Sequence, residues 1–271
     1  MNSTDTSLIK RGERAEIDAW ESVWNAATPA VAEALGLSKE RAGGVLALQA
    51  SRVPWWFFNR VIGLGINEPA DLSWLERRLD HYAAVGMPYG VSLCDEAHPA
   101  DIASLLEAKG LRKSTALAKM MRSTGNLPGA GIENAIREVG VEDARLFAEV
   151  AKSGYGVPAS MTGLFECLPG RPGWRFYLSY DAGEPAGTGG MFVEDDVAWI
   201  GFGSTVPGRR GKGLHRAMML HRMHVAADLG CRRLVTETDR PSGDEPAPSF
   251  HNMLRLGFEQ VYDRPNYTVT P

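Results

Sequence analysis

The chain repeats itself. Val61-Ile-Gly-Leu-Gly65 is echoed by Trp199-Ile-Gly-Phe-Gly203, and the same landmarks follow both segments in the same order. Each is followed by apolar residues at helical spacing: Leu72, Leu75, Leu79 and Ala83 in one copy, Leu214, Met218, Val225 and Leu229 in the other. Gly86 and Gly230 stop these patterns, as glycine does where a helix ends in a left-handed residue. A strand-like run comes next (Val91–Leu93; Leu234–Thr238), then a short helical segment closing in Lys109-Gly-Leu111 or Leu256-Gly-Phe258. Upstream, Gly43-Gly44-Val-Leu-Ala-Leu matches Gly189-Gly190-Met-Phe-Val. Any two strand–helix units share a loose rhythm, but shared landmarks in one order indicate a degenerate tandem repeat.

The predicted class is therefore α+β (α/β layered), in two related halves spanning residues 1–125 and 130–271. Each half is expected to form a mixed, mostly antiparallel sheet flanked by helices. In the second half the strands are read at Asn134–Val139, Trp174–Tyr180, Gly187–Val193, Val197–Gly203 and Leu234–Asp239. Helices are read over Val141–Lys152, from Gly211 to Leu229, and over Ser249–Leu256. Composition agrees with a folded soluble protein: of 271 residues, 44% are hydrophobic and 23% charged. The longest strongly apolar stretch, Val53–Phe58, is far short of the ~20 residues of a membrane span. The first twenty residues turn charged where a secretory leader turns apolar. Cys94, Cys167 and Cys231 are odd in number and lack zinc spacing, so reduced thiols in a cytoplasm are expected.

The two copies differ where it matters. Gly65 and Gly86 are 21 residues apart, whereas Gly203 and Gly230 are 27 apart. The first copy lacks about six residues where the second carries Pro207-Gly-Arg-Arg-Gly-Lys212. Charge concentrates at the same place. From Val206 to Arg240, eight Lys/Arg face three acids, a local +5 in a chain of net charge −4, which leaves −9 elsewhere. A basic island in an acidic body suits a localised anion rather than a nucleic acid or a membrane surface, and on charge counting alone a solvated charged helix face fits equally. The segment Thr205-Val-Pro-Gly-Arg-Arg-Gly-Lys-Gly-Leu-His215 sits between a strand and a helix, where glycines and a helix N-terminus present backbone N–H groups to phosphate. A nucleotide-binding domain is one reading of such a loop, although the Gly-Lys-Ser/Thr ending of a Walker loop is absent.

Pro207-x-x-Arg210-Gly-Lys-Gly213-x-x resembles the pyrophosphate-binding motif of the GNAT superfamily of N-acetyltransferases. The resemblance extends from about Asn134 to the C-terminus and includes Leu256-Gly257-Phe258. It implies acetyl-CoA as co-substrate, its pyrophosphate held by backbone N–H groups of Arg210, Gly211, Lys212, Gly213, Leu214 and His215. The pantetheine arm is expected to pair with the main chain at Thr205 and Val206, between splayed strands ending at Thr205 and Thr238. His215 departs from the small residue that ends the family motif, and Asn252 is similar in position to CoA-contacting asparagines of relatives.

For catalysis, Glu237 shares a strand face with Val235 and Asp239 and is the candidate general base, its plain alternative being a charge partner of Arg232 or Arg233. Many relatives carry an acidic Tyr where this chain has Met253. His251 is the nearest titratable substitute, with Ser249, Tyr262 and Tyr267 behind it. No metal is expected: His215 and His221 fall on different helix faces, and His221 lies inside an apolar stripe. Trp20, Trp24, Trp55, Trp56 and Trp74 are read as filling a core or interface, with the lining of an acceptor pocket as the alternative that their spacing leaves open, and Tyr155 as part of a loop near the acceptor. The expected activity is acetyl transfer to a primary amine of a small molecule or peptide by a monomer or homodimer. The alternative is a non-catalytic acyl-CoA sensor.

Overall fold

A computed structural model describes residues 6–129, 136–241 and 247–269. The first half holds α1 (Thr6–Ala26), α2 (Pro29–Leu35), β1 (Leu37–Ala42), β2 (Val45–Ala50), β3 (Arg60–Ile62), α3 (Leu72–Val85), β4 (Gly90–Ser92), α4 (Ile102–Ala108) and β5 (Arg112–Ser123). The second holds β6 (Ile136–Glu138), α5 (Ala144–Tyr155), α6 (Thr162–Glu166), β7 (Trp174–Asp181), β8 (Glu184–Glu194), β9 (Val197–Thr205), α7 (Leu214–Asp228), β10 (Arg233–Asp239), α8 (Pro248–Arg255) and β11 (Glu259–Thr268). The α+β class and the mixed sheet flanked by helices are as expected. Of the expected strand Asn134–Val139, residues 136–138 form β6, while 134 and 135 lie outside the described residues. The helix read over Val141–Lys152 opens as a tight turn at Val141–Asp143 and runs on to Tyr155, where Gly156 ends it in the left-handed region.

Among the described residues the strands join into one eleven-stranded sheet, ordered β1-β2-β3-β4-β11-β5-β10-β9-β8-β7-β6. The last strand of each half crosses to the other half. β5 pairs antiparallel with β10, β11 pairs antiparallel with β4, and the two crossed strands pair with each other at the centre. The halves are thus stitched by main-chain ladders rather than by a linker.

The two echoing segments occupy similar places in the sheet. β3 runs parallel to β4 with Val61 opposite Val91, and β9 runs parallel to β10 with Trp199 opposite Val235. These are the positions that the two echoing segments bring into correspondence. The glycine pairs upstream do not correspond: Gly43 and Gly44 form the β1–β2 turn, whereas Gly189 and Gly190 lie inside β8 at a register shift. The β7–β8 turn, the true counterpart, falls at Ala182 and Gly183, both with positive φ.

Alternating side chains feed both faces of the sheet. Leu46, Leu48, Trp199 and Val235 join the core under α1, α5 and α6, which runs across both halves. Val45 and Ala47 face α3 and α4, and Leu234 and Ile200 face α7 and α8, in two separate clusters.

Where α1 crosses the stitched centre, the contact is ionic. Glu13 and Glu16 of α1 meet Arg60 of β3, Lys119 of β5, Glu237 of β10 and Arg264 of β11. Arg264 forms a two-pronged pair with Glu16 at 2.6 and 2.8 Å, and reaches Glu13 at 3.2 Å. Burial alone would raise the Glu16 carboxyl; Arg264, Lys119 and Arg60 outweigh it and hold that group well below the usual carboxylate range. Three cations balance three carboxylates, so removing one strands the others in a dry interior. Arg264→Leu is expected to lower the unfolding free energy by about 3–5 kcal/mol, read from the urea midpoint. A variant as stable as the parent would show that the cluster does not hold the seam.

Candidate active site

β9 and β10 pair in parallel over three positions, Val197 to Trp199 against Arg233 to Val235, and then part. Thr236 closes the fork, its Oγ1 donating to the Ile200 carbonyl at 2.7 Å. Beyond it both strands continue unpaired with each other, to Thr205 and Asp239. A register shift between β8 and β9 lies beside the fork, and there Phe202 is held at φ 52°, a strained value for a residue with a side chain. Arg222 of α7 pins this irregularity, donating to the carbonyls of Gly190 at 2.9 Å and Gly201 at 2.8 Å. The sequence counts Arg222 in the basic island, yet it is fully buried, and burial pushes its guanidinium down to about 10.

The glycine-rich segment leads from β9 into α7 at the mouth of the fork. Gly213 is the N-cap of α7 at φ 77° and supplies no side-chain acceptor. The first N–H groups of α7 are left without the cap that most helices provide. Gly211 is also left-handed, and the space in front of both glycines is open. In the first half the equivalent end is closed: Asp71 caps α3 by accepting from the Trp74 N–H at 3.0 Å. The helix start is thus capped by a carboxylate in one half and has no side-chain cap in the other.

The charges around the open end are partly spoken for. Arg209 and Lys212 both pair with Asp181, at 2.7 and 2.6 Å, and their hydrogen bonds hold the Asp181 carboxyl below its ordinary value. Arg210 donates to the Thr205 carbonyl at 3.2 Å and to that of Gly154 at 3.4 Å. Val206 is fully engaged, its N–H bonding Ala186 and its carbonyl accepting from Arg209, both at 2.9 Å. Leu214 is buried, while the His215 ring turns inward toward Gly203 and Arg222. Burial, and then Arg222, push this imidazole down to about 4, so it is neutral at physiological pH. Its Nδ1 has no hydrogen-bond partner among the described residues.

The fork opens into a cavity of about 550 Å³. β9 and β10 contribute Gly203, Thr236, Glu237 and Asp239, and α8 contributes Ser249 and Met253. The first half builds the opposite wall with Trp20 of α1 and the run Trp55 to Phe58. The expectation that these tryptophans only fill the core is met by Trp24 and Trp74, whose indoles bond Gln49 and Glu40. Trp20 is buried in the core and Trp55 packs against it, and both, with Trp56, also line the cavity, because α1 and the segment before β3 lie across the seam from the fork.

Of the candidate catalytic side chains, Glu237 faces the cavity with Oε2 bonded to Arg264 and 3.6 Å from Lys119. Its charge partners are these, not Arg232 or Arg233. His251 is exposed, its Nδ1 lies 2.8 Å from the Ala247 carbonyl of its own helix, and it does not line the cavity. Asn252 is half-buried and likewise outside the lining. Tyr262 donates to Glu13, and Tyr267 is buried in the first-half core. Ser249 and Tyr155 are the hydroxyls brought to the cavity by α8 and by the end of α5. Among the described residues no group of His, Cys, Asp and Glu is gathered in a way that would hold a metal.

Residues 146–258 match the model of the Acetyltransferase (GNAT) family. The likeness of fold covers far more of the chain. A GCN5-related N-acetyltransferase from Kribbella flavida superposes with a TM-score of 0.63 at 19% identity, over 95% of each chain. A GCN5-related N-acetyltransferase from Sphaerobacter thermophilus gives 0.58 at 17%, over 74% of this chain and 67% of that one. A tandem GNAT protein from the clavulanic acid biosynthesis pathway gives 0.55 at 17%, over 85% and 82%. No curated protein matches the sequence. The fork, the open end of α7 and the inward His215 all fall within the matched GNAT domain.

His215 makes a pH prediction. With a folded value near 4 against an ordinary 6.5, the unfolded chain takes the proton first. Stability tied to the neutral ring is full above pH 6.5 and is lost as pH falls toward 4. The Tm of His215→Gln should fall less steeply than the parent's across that window. An NMR titration placing the His215 ring near 6.5 would overturn this reading.

Proposed function

We propose that the chain is an N-acetyltransferase that moves the acetyl group of acetyl-CoA to a primary amine by direct attack in a ternary complex. The observation that carries this reading is the β9–β10 fork, with an uncapped helix end at its mouth and a walled cavity beyond. Backbone N–H groups from Gly211 to His215, with Lys212, hold the pyrophosphate. The pantetheine arm enters the fork and pairs with the main chain at Thr205. The amine approaches from the aromatic side, and its lone pair attacks the thioester carbon. The C–N bond forms, the C–S bond breaks, the amine gives up a proton and the thiolate gains one. With Oε2 held by Arg264, Glu237 offers Oε1 to receive the amine proton. Met253 has no proton to give; the leaving thiolate takes its proton from solvent water, with the Ser249 hydroxyl, one helical turn earlier and also facing the cavity, placed to donate a hydrogen bond to it.

The same comparison of helix ends supports one working site. The first half is a degenerate copy whose helix end is closed by Asp71, and it serves the second by walling the cavity. A second reading, an acyl-CoA-binding module without transfer, draws on Met253 at the position of the usual acid.

Acetyl-CoA and a panel of amines are expected to release free CoA thiol, detected by a thiol reagent. Binding of acetyl-CoA without amine-dependent thiol would favour the second reading, and binding of ATP or NAD without CoA would discard both. Gly213→Val, forced to hold φ 77° with a branched side chain, should weaken acetyl-CoA binding about tenfold or more. Glu237→Gln should lower kcat roughly 100-fold with KM for acetyl-CoA little changed, and an unaltered kcat removes it as the base.

A further inference from the structure

We propose that the amine accepted in this cavity is a cation carried on a flat aromatic body. The inference rests on the acetyltransferase reading above and specifies its acceptor. Its basis is the wall between the two halves. Trp55 lies 6.2 Å from Phe57, Phe57 lies 5.3 Å from Trp20, and Trp20 lies 6.1 Å from Trp199 and 6.0 Å from Phe202, centroid to centroid. All five rings line the cavity, and they form one connected surface from the first half to the fork. The Arg60 guanidinium already lies over the Phe57 and Trp20 rings, 3.9 and 5.2 Å from their centroids, and half-buried Trp55 is the ring left to meet a ligand's body edge-to-face or offset and to attract its cation.

The charged groups in the lining are unequal. Arg222 is committed to the Gly190 and Gly201 carbonyls, and Glu237 to Arg264. Asp239, two residues along the same face of β10, is exposed and has no ion pair among the described residues. It is the carboxylate left to draw an ammonium group toward the fork. Two buried indole N–H groups in the wall, those of Trp20 and Trp199, also lack partners among the described residues. A bulky acyl donor would make no use of the free carboxylate.

The test is calorimetric titration of the full chain, with and without CoA, using 2-phenylethylamine, n-butylamine and 2-phenylethanol. 2-Phenylethylamine should bind about tenfold more tightly than either other probe. Trp55→Ala and Asp239→Asn should each abolish that preference, and Trp55→Phe should retain it. Trp55 is only half-buried and Asp239 exposed, so both variants are expected to fold, as circular dichroism will show. Equal binding of n-butylamine or 2-phenylethanol, or a preference that survives Asp239→Asn, would overturn the inference. The two readings fail separately. Selective aryl-amine binding with no CoA thiol released from acetyl-CoA sinks the transferase reading and leaves this one standing. Thiol release with n-butylamine but not with 2-phenylethylamine does the reverse.

Discussion

Arg264 sits at the middle of the eleven-stranded sheet with no solvent contact, bonded to Glu13, Glu16 and Glu237. Those carboxylates come from α1 and β10, and Arg264 itself from β11, so one side chain ties both halves to the helix that crosses them. Lys119 and Arg60 complete the balance from β5 and β3. In a dry interior such a set is stable only when complete, because each missing charge leaves an unpaired one behind. The requirement is geometric as well. α1 must lie over the seam, and both crossed strands must be in register beneath it.

The cavity follows from that arrangement. Once α1 is fixed across the centre, Trp20 faces the β9–β10 fork, and the segment before β3 brings Trp55 to Phe58 beside it. Glu237 belongs to both worlds, since its carboxylate completes the ionic cluster and also faces the cavity. The first half thus contributes structure and wall, while the second keeps the open helix end. Asp71 at the start of α3 and Gly213 at the start of α7 express that division in two residues.

Much of the second half was legible because local chemistry and tertiary role agree there. β7, β8, β9 and β10 show apolar runs, α7 is bounded by Gly213 and Gly230, and the loop between is marked by its glycines and charge. α1, β5 and β11 gave no comparable signal. β11 carries Asp263, Arg264 and Pro265, and β5 carries Lys119, residues that read as loop or surface. They are buried only because opposite charges from distant segments meet them. The Gly43-Gly44 match misled for a related reason: two glycines look alike in sequence whether they make a turn or relieve a crowded strand.

The sequence by itself determined the layered α+β class, the echoing segments, and which half carries the glycine-rich loop with its uncapped helix start. These depend on periodicity and on glycine and helix-end chemistry, all encoded within a few residues. Tertiary structure alone decided that the halves exchange strands, that Arg222 is a buried pin and not part of a surface charge, and that His251 turns away while Asp239 and Trp55 face the cavity. Each of those outcomes turns on which distant side chain ends up opposite, a matter settled by packing and by the pairing of buried charge.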